Sequence, residues 1–339
     1  MDRPSGRLHH LPRALRESGH QVHVALISHG GDDLREEELG GVATSSRDVR
    51  RLGIAGALRN LHSLASQFRP DWVIGCSDAW TGYVAKRVAD RCGARLAIDA
   101  YDDYEAYMPW NLPLHWAWRR AIGAADAVTA AGPQLASHLQ RHRKSTTPVA
   151  IVPMAADPEF RPLDRVECRR HLGLPQSVPL IGYSGSWARN RGTDVLLRAF
   201  EQVRRQKPEA RLVLSGRPPA YASSAEGVIA LGYIDDADLP ALINAVDVSC
   251  VITADTRFGR CSYPAKLCEA MACGVPVVAT ATQPVGWMLG DDPRFLGRIG
   301  DGGDIAARML ANLGMDRVDY GPVPSWPEAA IALRLAIGA

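Results

Sequence analysis

The sequence has almost no excess of charge of either sign. Its 339 residues include 39 lysines and arginines against 37 aspartates and glutamates, a net charge of +2 at neutral pH. Proteins that bind nucleic acid through its phosphates usually carry a strongly basic domain or stripe. We therefore predict no nucleic-acid partner. Two basic clusters, residues 3–16 and 141–144, are expected to be solvated helix faces, with weak contact to an anionic membrane surface as the alternative.

Features of an exported or membrane-spanning protein are also lacking. There are seven cysteines, an odd number, and no C-x-x-C pair, which argues against both a disulfide framework and a zinc site. No apolar run approaches the roughly 20 residues of a membrane span, and residues 1–20 contain no apolar segment typical of a signal peptide. We expect a cytoplasmic protein with reduced thiols, with peripheral association at the inner membrane face as the alternative.

A glycine-rich dinucleotide fingerprint is absent as well. No G-x-G-x-x-G follows an apolar run of strand length, which disfavours a nicotinamide-dependent dehydrogenase. Short apolar runs instead alternate with amphipathic stretches, as in a parallel sheet with helices on both faces. The predicted strands are residues 22–28, 71–77, 94–100, 127–131, 149–153, 179–185, 210–216, 228–232, 248–252 and 276–280.

This alternation occurs twice, which predicts two domains. A chain of this length suits two domains of roughly 150 residues each. A polar, proline-punctuated stretch at residues 153–175 separates the halves. We predict a first domain over residues 1–155, a second over residues 160–320, and a last helix, 326–339, that crosses back to the first. Ligands of such sheets bind beyond the carboxyl ends of the strands, so the domains are expected to face a cleft.

The first domain begins without a strand. A doubly wound unit normally opens with a buried strand, followed by a glycine-containing turn and a helix. Here a helix-like stretch, residues 7–17, precedes the first apolar run, and only residues 1–6 stand before it. We expect the first strand of the N-terminal domain to be missing, either because the true start lies upstream or because the chain was trimmed.

The second domain contains a predicted helix suited to bind a phosphate. Pro264 is expected at its start, where a missing N–H costs nothing, and Ala265 and the inward-facing Leu267 lie in its first turn. Its free amides and its dipole favour an anion. Lys266 and Glu269 are three positions apart and project together, and the carboxylate could accept hydrogen bonds from a sugar diol. The alternative is a structural helix with an exposed ion pair of little energetic value.

A second candidate site follows the predicted strand 179–185. Gly185 and Ser186 form a small-residue turn, and Arg189 and Arg191 stand just ahead of the next predicted helix. Arginine forms forked, charge-assisted hydrogen bonds to phosphate, each worth roughly 1.5–3 kcal/mol. The alternative is that both arginines are solvated loop residues.

A third candidate site follows the predicted strand 94–100. Residues 99–107 hold four carboxylates and three tyrosines, an unusual density for a loop. Asp99, Asp102 and Asp103 are its leading candidates, because sugars are often bound by acceptor groups and flat aromatic faces. The alternatives are a polar loop in which an aspartate caps the next helix and a metal site, for which no second ligand set is present.

In their order along the chain, these motifs resemble glycosyltransferase family 4. Residues 269–279 match the family pattern E-A-M-A-x-G-x-P-V-V-A position by position, and residues 263–272 fit a subgroup with Y-P-x-K-L-x-E-x-M-A. The resemblance implies a GT-B fold, an α/β architecture of two Rossmann-like doubly wound domains facing a cleft. It further implies a hexosyltransferase that uses a UDP- or GDP-linked sugar, retains anomeric configuration, and requires neither a cofactor nor a metal.

The same resemblance implies roles for residues of the second domain. Glu269 would bind the ribose hydroxyls of the donor nucleotide, and Tyr233 and Ile234 would lie where backbone groups hold the base. Gly185 begins the segment that resembles the phosphate motif G-R-x-x-x-x-K-G, and Arg191 replaces its lysine. The diphosphate would also contact the helix start; the residues implied there are Pro264, Ala265, Lys266 and Leu267.

Residues of the first domain are implied to lie on the acceptor side. Gly6 resembles the end of the family's opening loop, and Asp99, Asp102 and Asp103 resemble a D-x-x-D-D stretch near the reacting centre. We expect Asp102, Asp103 and Arg191 to be catalytic. The resemblance leaves the acceptor open between a carbohydrate, a lipid-linked molecule and a small molecule.

Departures from the family pattern keep two other functions open. The first glutamate of the family's pair falls at position 261, which is Cys261, and Ser186 replaces the arginine of the phosphate motif, for which Arg189 would compensate. These changes favour a non-catalytic GT-B subunit that binds a partner glycosyltransferase. A nucleotide-sugar epimerase shares the architecture and would convert the donor without an acceptor.

Overall fold

The computed structural model of the chain describes residues 6–30, 35–187 and 191–339. The chain divides into a first unit, Met1–Met154 together with Ser325–Ala339, and a second unit, Ala155–Pro324. Strands alternate with helices in both units, which confirms the predicted α/β class.

The first unit follows its sequence pattern closely. Along the chain it contains α1 (Arg7–Glu17), β1 (His23–Ser28), β2 (Arg35–Leu39), β3 (Val42–Asp48), α2 (Val49–Phe68), β4 (Trp72–Cys76), α3 (Ala79–Cys92), β5 (Arg95–Ala100), α4 (Tyr104–Tyr107), α5 (Leu112–Ala124), β6 (Ala127–Ala130), α6 (Pro133–Gln140) and β7 (Ala150–Ile151). Short polar side chains start several of these helices. Asp48 accepts a hydrogen bond from the amide of Arg51, and Asp78 forms a capping box with Thr81. Local sequence therefore sets where these helices begin.

The hairpin of β2 and β3 was not predicted from the sequence. Its first strand reads Arg-Glu-Glu-Glu-Leu, which lacks the apolar alternation of a half-buried strand. The strands join through Gly40 and Gly41, whose φ values of 57° and 81° suit a tight two-residue turn. Antiparallel pairing with β3, from Leu39 opposite Val42 onward, therefore holds β2 in place despite its charge.

Two separate sheets form the first unit. One has the order β1-β3-β2, with β1 and β3 parallel, and the other is a parallel sheet of order β4-β5-β6-β7. Within the described part of the chain, no strand bridges β1 and β4. Two packed helices cover the junction, since Leu61 of α2 and Val88 of α3 share an apolar cluster with Ile27 of β1 and Val73 of β4. The predicted gap in the order of strands is thus present among the described residues.

Close contact between α3 and its neighbours depends on two glycines. A Cβ atom at Gly75 of β4 would lie 2.8 Å from the Cβ of Ala85, and one at Gly82 of α3 would lie 2.7 Å from the ring of Trp118. Neither distance is tolerable for a real side chain. These glycines let α3 lie directly against β4 and let α5 bury Trp118 beside them.

The second unit is a single parallel sheet covered on both faces. It contains α7 (Arg165–His171), β8 (Leu180–Ser184), α8 (Thr193–Gln206), β9 (Arg211–Ser215), α9 (Ala220–Ser223), β10 (Val228–Gly232), α10 (Leu239–Ala245), β11 (Val248–Val251), α11 (Ala265–Ala272), β12 (Val277–Thr280), α12 (Gln283–Met288), β13 (Leu296–Gly297) and α13 (Gly302–Asn312). The strand order is β10-β9-β8-β11-β12-β13. Successive strand residues alternate between two apolar clusters, as Leu180 and Ile181 do, because a strand presents them to opposite faces.

The last helix, α14 (Trp326–Ile337), belongs to the first unit. Ser325 and Glu328 form a capping box at its start. The ring of Trp326 stacks on His10 of α1, with centroids 5.7 Å apart and planes within 5°. Among the helices that the structure describes, none has the length and hydropathy of a membrane span.

Candidate active site

A crevice is expected in the second unit where the order of its strands reverses. Strands β8 and β11 are neighbours, but the chain continues from β8 toward one edge of the sheet and from β11 toward the other. Gly185 follows β8, and its carbonyl oxygen lies 2.7 Å from where a Cβ atom of Gly216 would stand. The loops after β8 and β9 therefore meet backbone to backbone, and small residues keep this end of the sheet accessible.

The start of α8 lacks a side-chain cap among the described residues. Gly192 occupies its N-cap with φ 67°. A Cβ atom at Gly192 would lie 3.5 Å from the Cβ of Ala254, so the start of α8 packs against the loop after β11. The first amides of a helix lack partners inside the helix and favour an anion.

Arg191 lies beside this helix start. Its guanidinium carbon is 5.1 Å from the ring centroid of Phe258, a buried residue of the loop after β11. Burial raises the pKa of Tyr183 to about 12, and the charge of Arg191 opposes that rise. The Tyr183 hydroxyl donates to the carbonyl oxygen of Ser186 at 3.0 Å, while Ser186 itself is exposed. The prediction for Arg189 lies outside the described residues.

A second open helix start belongs to α11. Pro264 is its N-cap, one position before the predicted place, and no side-chain hydrogen bond caps it. Ala265 opens the helix and is partly exposed. The side chain of Leu267 is fully buried in the core, and its amide donates to the carbonyl oxygen of Pro264 at 3.0 Å; its assignment to the donor site stays a prediction.

Glu269 is a nearly buried carboxylate with one cationic partner. The Nζ atom of Lys266 lies 2.8 Å from its Oε2 atom, and only 8% of Glu269 is exposed. Burial raises the pKa of Glu269, Lys266 opposes the rise, and the charges of Asp157 and Asp236 add to it. A carboxylate held this way can still accept hydrogen bonds from hydroxyl groups through Oε1.

Tyr233 and Ile234 follow β10 at the same end of the sheet. The side chain of Ile234 packs against the core of the second unit, whereas Tyr233 is 73% exposed. Gly232 precedes them with φ 70°, and its carbonyl oxygen accepts from the amide of Gly216 at 2.8 Å. The turn thus anchors Ile234 and directs the ring of Tyr233 toward solvent.

Position 261 differs from the family pattern in chemistry as well as in sequence. Cys261 is buried in a 3-10 turn, Gly259–Cys261. A Cβ atom at Gly259 would lie 2.1 Å from the carbonyl oxygen of Ala254, so this loop is tightly folded. A thiol at this position offers no carboxylate to a donor sugar.

Two buried hydroxyl groups were missed by the sequence reasoning. Thr253 and Thr282 follow β11 and β12, and both are almost fully buried. Their Oγ1 atoms find no hydrogen-bond partner among the residues that the structure describes. A threonine just after each of two neighbouring predicted strands is a sequence signal that could have indicated these hydroxyls, because ligands bind at that edge of the sheet.

An aromatic pair beside the α8 start was also missed. The indole Nε1 of Trp187 donates to the hydroxyl of Tyr221 at 3.0 Å, and that hydroxyl donates to Asp194 at 3.3 Å. The pair joins the loop after β8 to α9 and α8. Nothing in the spacing of these residues along the chain indicates this contact, which depends on how α9 folds back.

In the first unit, Asp99 is a buried structural group. Both of its oxygens bind Arg7, with Nε–Oδ2 at 2.8 Å and Nη2–Oδ1 at 2.7 Å, and Thr129 also donates to it. Burial alone would raise the pKa of Asp99, but the charge and hydrogen bonds of Arg7 lower it. Arg7 also donates to the carbonyl oxygens of Val152 and Pro153. Three hydrogen bonds already hold the Asp99 carboxylate inside the unit, and the expectation that it meets an acceptor stays a prediction.

Gly6 is the N-cap of α1, directly before Arg7. Its φ of 52° is in the region that favours glycine, and a Cβ atom there would meet nothing within 4 Å. No side chain in the described residues caps this helix either. The Arg7–Asp99 pair therefore ties the start of α1 to the carboxyl end of β5.

The acidic loop after β5 has two kinds of carboxylate. Asp103 is buried and caps α4 by accepting from the amides of Glu105 and Ala106; its assignment as catalytic stays a prediction. Glu105 is also buried, and the guanidinium of Arg119 donates to both of its carboxylate oxygens, at 2.7 and 2.9 Å. Asp102 is partly exposed and remains the acid of this loop that solvent and ligands can reach.

One cluster of possible metal ligands occurs among the described residues. Glu105, His138 and His142 each offer an atom within 4.8 Å of the others. Arg119 already occupies the Glu105 carboxylate, and Nη2 of Arg141 lies 2.7 Å from Nδ1 of His138. These cations compete with a metal for the same groups. The prediction that activity needs no metal stays a prediction.

Comparison with known proteins places both halves of the chain in glycosyltransferase families. Residues 7–160 match the model "Glycosyltransferase Family 4", and residues 178–313 match "Glycosyl transferases group 1". A D-inositol 3-phosphate glycosyltransferase of Segniliparus rotundus is 31% identical over 47% of this chain and 37% of its own length. A phosphatidyl-myo-inositol mannosyltransferase of Propionibacterium freudenreichii is 32% identical over 58% of this chain and 50% of its own length. The chain spans half or less of the length of these relatives.

Solved structures with low sequence identity share the fold. Sucrose-phosphate synthase of Thermosynechococcus elongatus superposes with a TM-score of 0.73 at 18% identity, over 96% of this chain and 87% of that one. Anabaena HepE in complex with UDP-glucose superposes with a TM-score of 0.72 at 14% identity, over 99% and 93%. These likenesses confirm the predicted two-domain, Rossmann-like GT-B fold. The first half of the chain is thus similar to glycosyltransferase family 4 and the second half to glycosyl transferases group 1, each through its own family model.

Proposed function

We propose that this enzyme transfers a hexose from a UDP- or GDP-linked donor to a hydroxyl acceptor with retention of anomeric configuration. One observation carries the proposal: the described chain segments that follow β8 and β11 in the second unit carry two helix starts without side-chain caps, two cations and a buried carboxylate. The cations are Arg191 and Lys266, and the carboxylate is Glu269. Such a set suits a diphosphate joined to a ribose. The complex of HepE with UDP-glucose supports the same type of donor.

The diphosphate leaving group would bind at the starts of α8 and α11. Amides of a helix start are fixed in direction, so they stabilise developing negative charge without reorganising. Arg191 would add a forked contact and Lys266 a point charge. This anion site would use protein groups alone, so we propose that no metal is required.

The ribose hydroxyls would bind Glu269. Its Oε2 atom already pairs with Lys266, which favours the ionised carboxylate and leaves Oε1 to accept from the ribose. Because burial raises the pKa of Glu269, donor binding should weaken on acidification at a higher pH than an ordinary glutamate would give. The exposed ring of Tyr233 stands where the base would lie.

The first unit would bind the acceptor near Gly6 and Asp102. Asp102 would orient the acceptor hydroxyl, and the leaving phosphate would take its proton. The names of the relatives indicate acceptors built on inositol phosphate or phosphatidyl-inositol. We propose an acceptor of that polyol phosphate class, free or linked to lipid, and a cytoplasmic site of action.

Donor binding tests the proposal at Glu269. Thermal unfolding of the protein with UDP, GDP and their sugar conjugates should identify one nucleotide, and Glu269→Gln should raise its Kd by roughly ten- to a hundredfold, the value of one or two charge-assisted hydrogen bonds. The matched control is Glu167→Gln, which removes an exposed ion pair of the same spacing with Arg170. The control should bind like the unchanged protein, and equal Kd values for both variants would remove Glu269 from the donor site.

The buried thiol at position 261 favours one competing function, a non-catalytic subunit. Under that alternative, the protein binds nucleotide but forms no product with any acceptor, and activity appears only with a partner enzyme. Measuring both donor hydrolysis and transfer to inositol phosphates separates the two. Conversion of the donor sugar without an acceptor would instead identify an epimerase.

A further inference from the structure

The chain segment between β5 and β6 exposes large apolar side chains in a row. Trp110 is 75% exposed, Leu112 70% and Trp116 57%. Tyr107 and Met108, just before them, are also exposed. Single exposed hydrophobic residues are ordinary, but a contiguous set of this size marks an interaction site.

Helix α5 carries apolar residues on both of its faces. Leu114 and Trp118 pack into the core of the first unit, as expected of an amphipathic helix. Leu112, Trp116 and Arg120 recur every four residues on the opposite face and are exposed. Solvated helix faces normally hold charged and polar residues, so core packing does not account for this second face.

Helix α3 extends the same surface. The rings of Tyr83 and Trp116 lie 5.6 Å apart, and Trp80, one turn earlier on α3, is 44% exposed. We call this set the aromatic surface; its members are Trp80, Tyr83, Tyr107, Met108, Trp110, Leu112 and Trp116.

Several cations border the aromatic surface. Residues 107–120 include no aspartate or glutamate. Arg120 lies over the ring of Trp116, with its guanidinium carbon 5.7 Å from the centroid, and Arg87 is exposed on α3. Arg119 is half exposed while it pairs with the buried Glu105. The surface therefore combines exposed aromatic rings with net positive charge.

Two polar side chains of this segment, Asn111 and His115, are used within the chain. Asn111 Oδ1 accepts from the amide of Leu114 at 3.1 Å, and the ring of His115 bonds the carbonyl oxygen of Met108 at 3.0 Å. A sugar chain needs several convergent donors and acceptors, which this segment does not offer. Its chemistry suits a partner that takes apolar side chains and offers anions.

We propose that the aromatic surface docks onto an anionic lipid bilayer. Tryptophan and tyrosine favour the interface between headgroups and acyl chains. Trp110 and Leu112 would enter that interface, while Arg87 and Arg120 meet lipid phosphates. The docking does not depend on the proposed transfer reaction, because it needs neither donor nor acceptor.

Sedimentation with lipid vesicles tests this docking. The full chain should sediment with phosphatidylcholine vesicles that contain phosphatidylglycerol, and less with phosphatidylcholine alone or in high salt. The double substitution Trp110→Ser with Leu112→Ser should weaken binding by at least about tenfold, or about 1.4 kcal/mol. Both side chains are mostly exposed, so the variant should fold and should keep its nucleotide Kd.

Leu335→Ser is the matched control, since Leu335 of α14 is 77% exposed in the same unit but outside the aromatic surface. It should sediment like the unchanged protein. Equal sedimentation of the double variant and the control would overturn the proposal, as would no binding to either vesicle. Loss of self-association in the double variant, with vesicle binding unchanged, would assign the surface to a protein contact instead. Nucleotide binding in the same preparations distinguishes failure here from failure of the donor site.

Discussion

At Asp99, a single side chain ties together three parts of the first unit. It binds Arg7 at the start of α1 and Thr129 of β6, while Arg7 reaches the backbone of Val152 and Pro153. A buried charge is tolerated only when it is paired and fully hydrogen-bonded. The pair thus holds the open start of α1, which carries Gly6, in a defined place.

Removing the Asp99 charge should therefore be costly. Asp99→Asn leaves Arg7 as an uncompensated buried cation, and we expect the free energy of unfolding to fall by roughly 3–5 kcal/mol at neutral pH. Because the pKa of Asp99 is lowered in the folded state, its contribution is complete above the unfolded pKa and is lost as pH falls through the folded one. Urea unfolding at a series of pH values should show the difference between the proteins shrinking only in acid.

The control for this experiment is Asp90→Asn, which breaks an exposed i,i+4 pair with Lys86. A surface pair of this kind is worth about 0.3–0.5 kcal/mol. If Asp99→Asn lowered the free energy of unfolding no more than Asp90→Asn, the buried pair would not stabilise the fold.

Among the elements, β1 and β4 are each an edge strand of a sheet in the first unit. Each is hydrogen-bonded on one side only within the described residues, to β3 and to β5 respectively. Both are largely half-buried, whereas β5 and β8 are mostly buried. Exposed edges and few buried contacts are the marks of segments that open locally.

Amide hydrogen exchange should reveal this difference. Peptides that cover β1 and β4 should lose protection earlier than those that cover β8 and β11, and β5 serves as the control inside the same unit. The measurement is mass spectrometry of the native protein under exchange conditions. Protection of β1 and β4 that matched β8 and β11 would contradict the split between the two sheets.

On the scale of the whole molecule, each unit is a separate α/β layer structure. The second unit has apolar clusters on both faces of its six strands, built from its own residues. All groups proposed to bind the donor lie in that unit. A ligand that binds only one folded unit stabilises that unit directly.

Calorimetry should therefore resolve two unfolding transitions with different responses to nucleotide. At a nucleotide concentration of about 100 times Kd, one transition should gain about 2.7 kcal/mol while the other stays in place. Limited proteolysis of the heated sample would identify the unit that unfolds first. A single transition that moves as a whole would show that the units unfold together, against this expectation.

Much of the fold was determined by local sequence. Capping side chains such as Asp78 and the continuous apolar runs of β5 and β6 positioned helices and strands as predicted, because these signals act within a few residues. The family motif around Glu269 likewise predicted α11, whose first turn belongs to the proposed donor site. The order of elements along the chain alone predicted that, among the described residues, no strand joins β1 to β4.

Other features were decided only by tertiary structure. Asp99, Asp103 and Leu267 matched site patterns, yet burial and neighbouring partners made them an ion pair, a helix cap and a core residue. The charged strand β2 forms because pairing with β3 outweighs its weak local propensity. Sequence spacing shows which groups share a face of one element. Which carboxylates stay accessible, and which apolar side chains remain exposed, depends on contacts between residues distant in the chain.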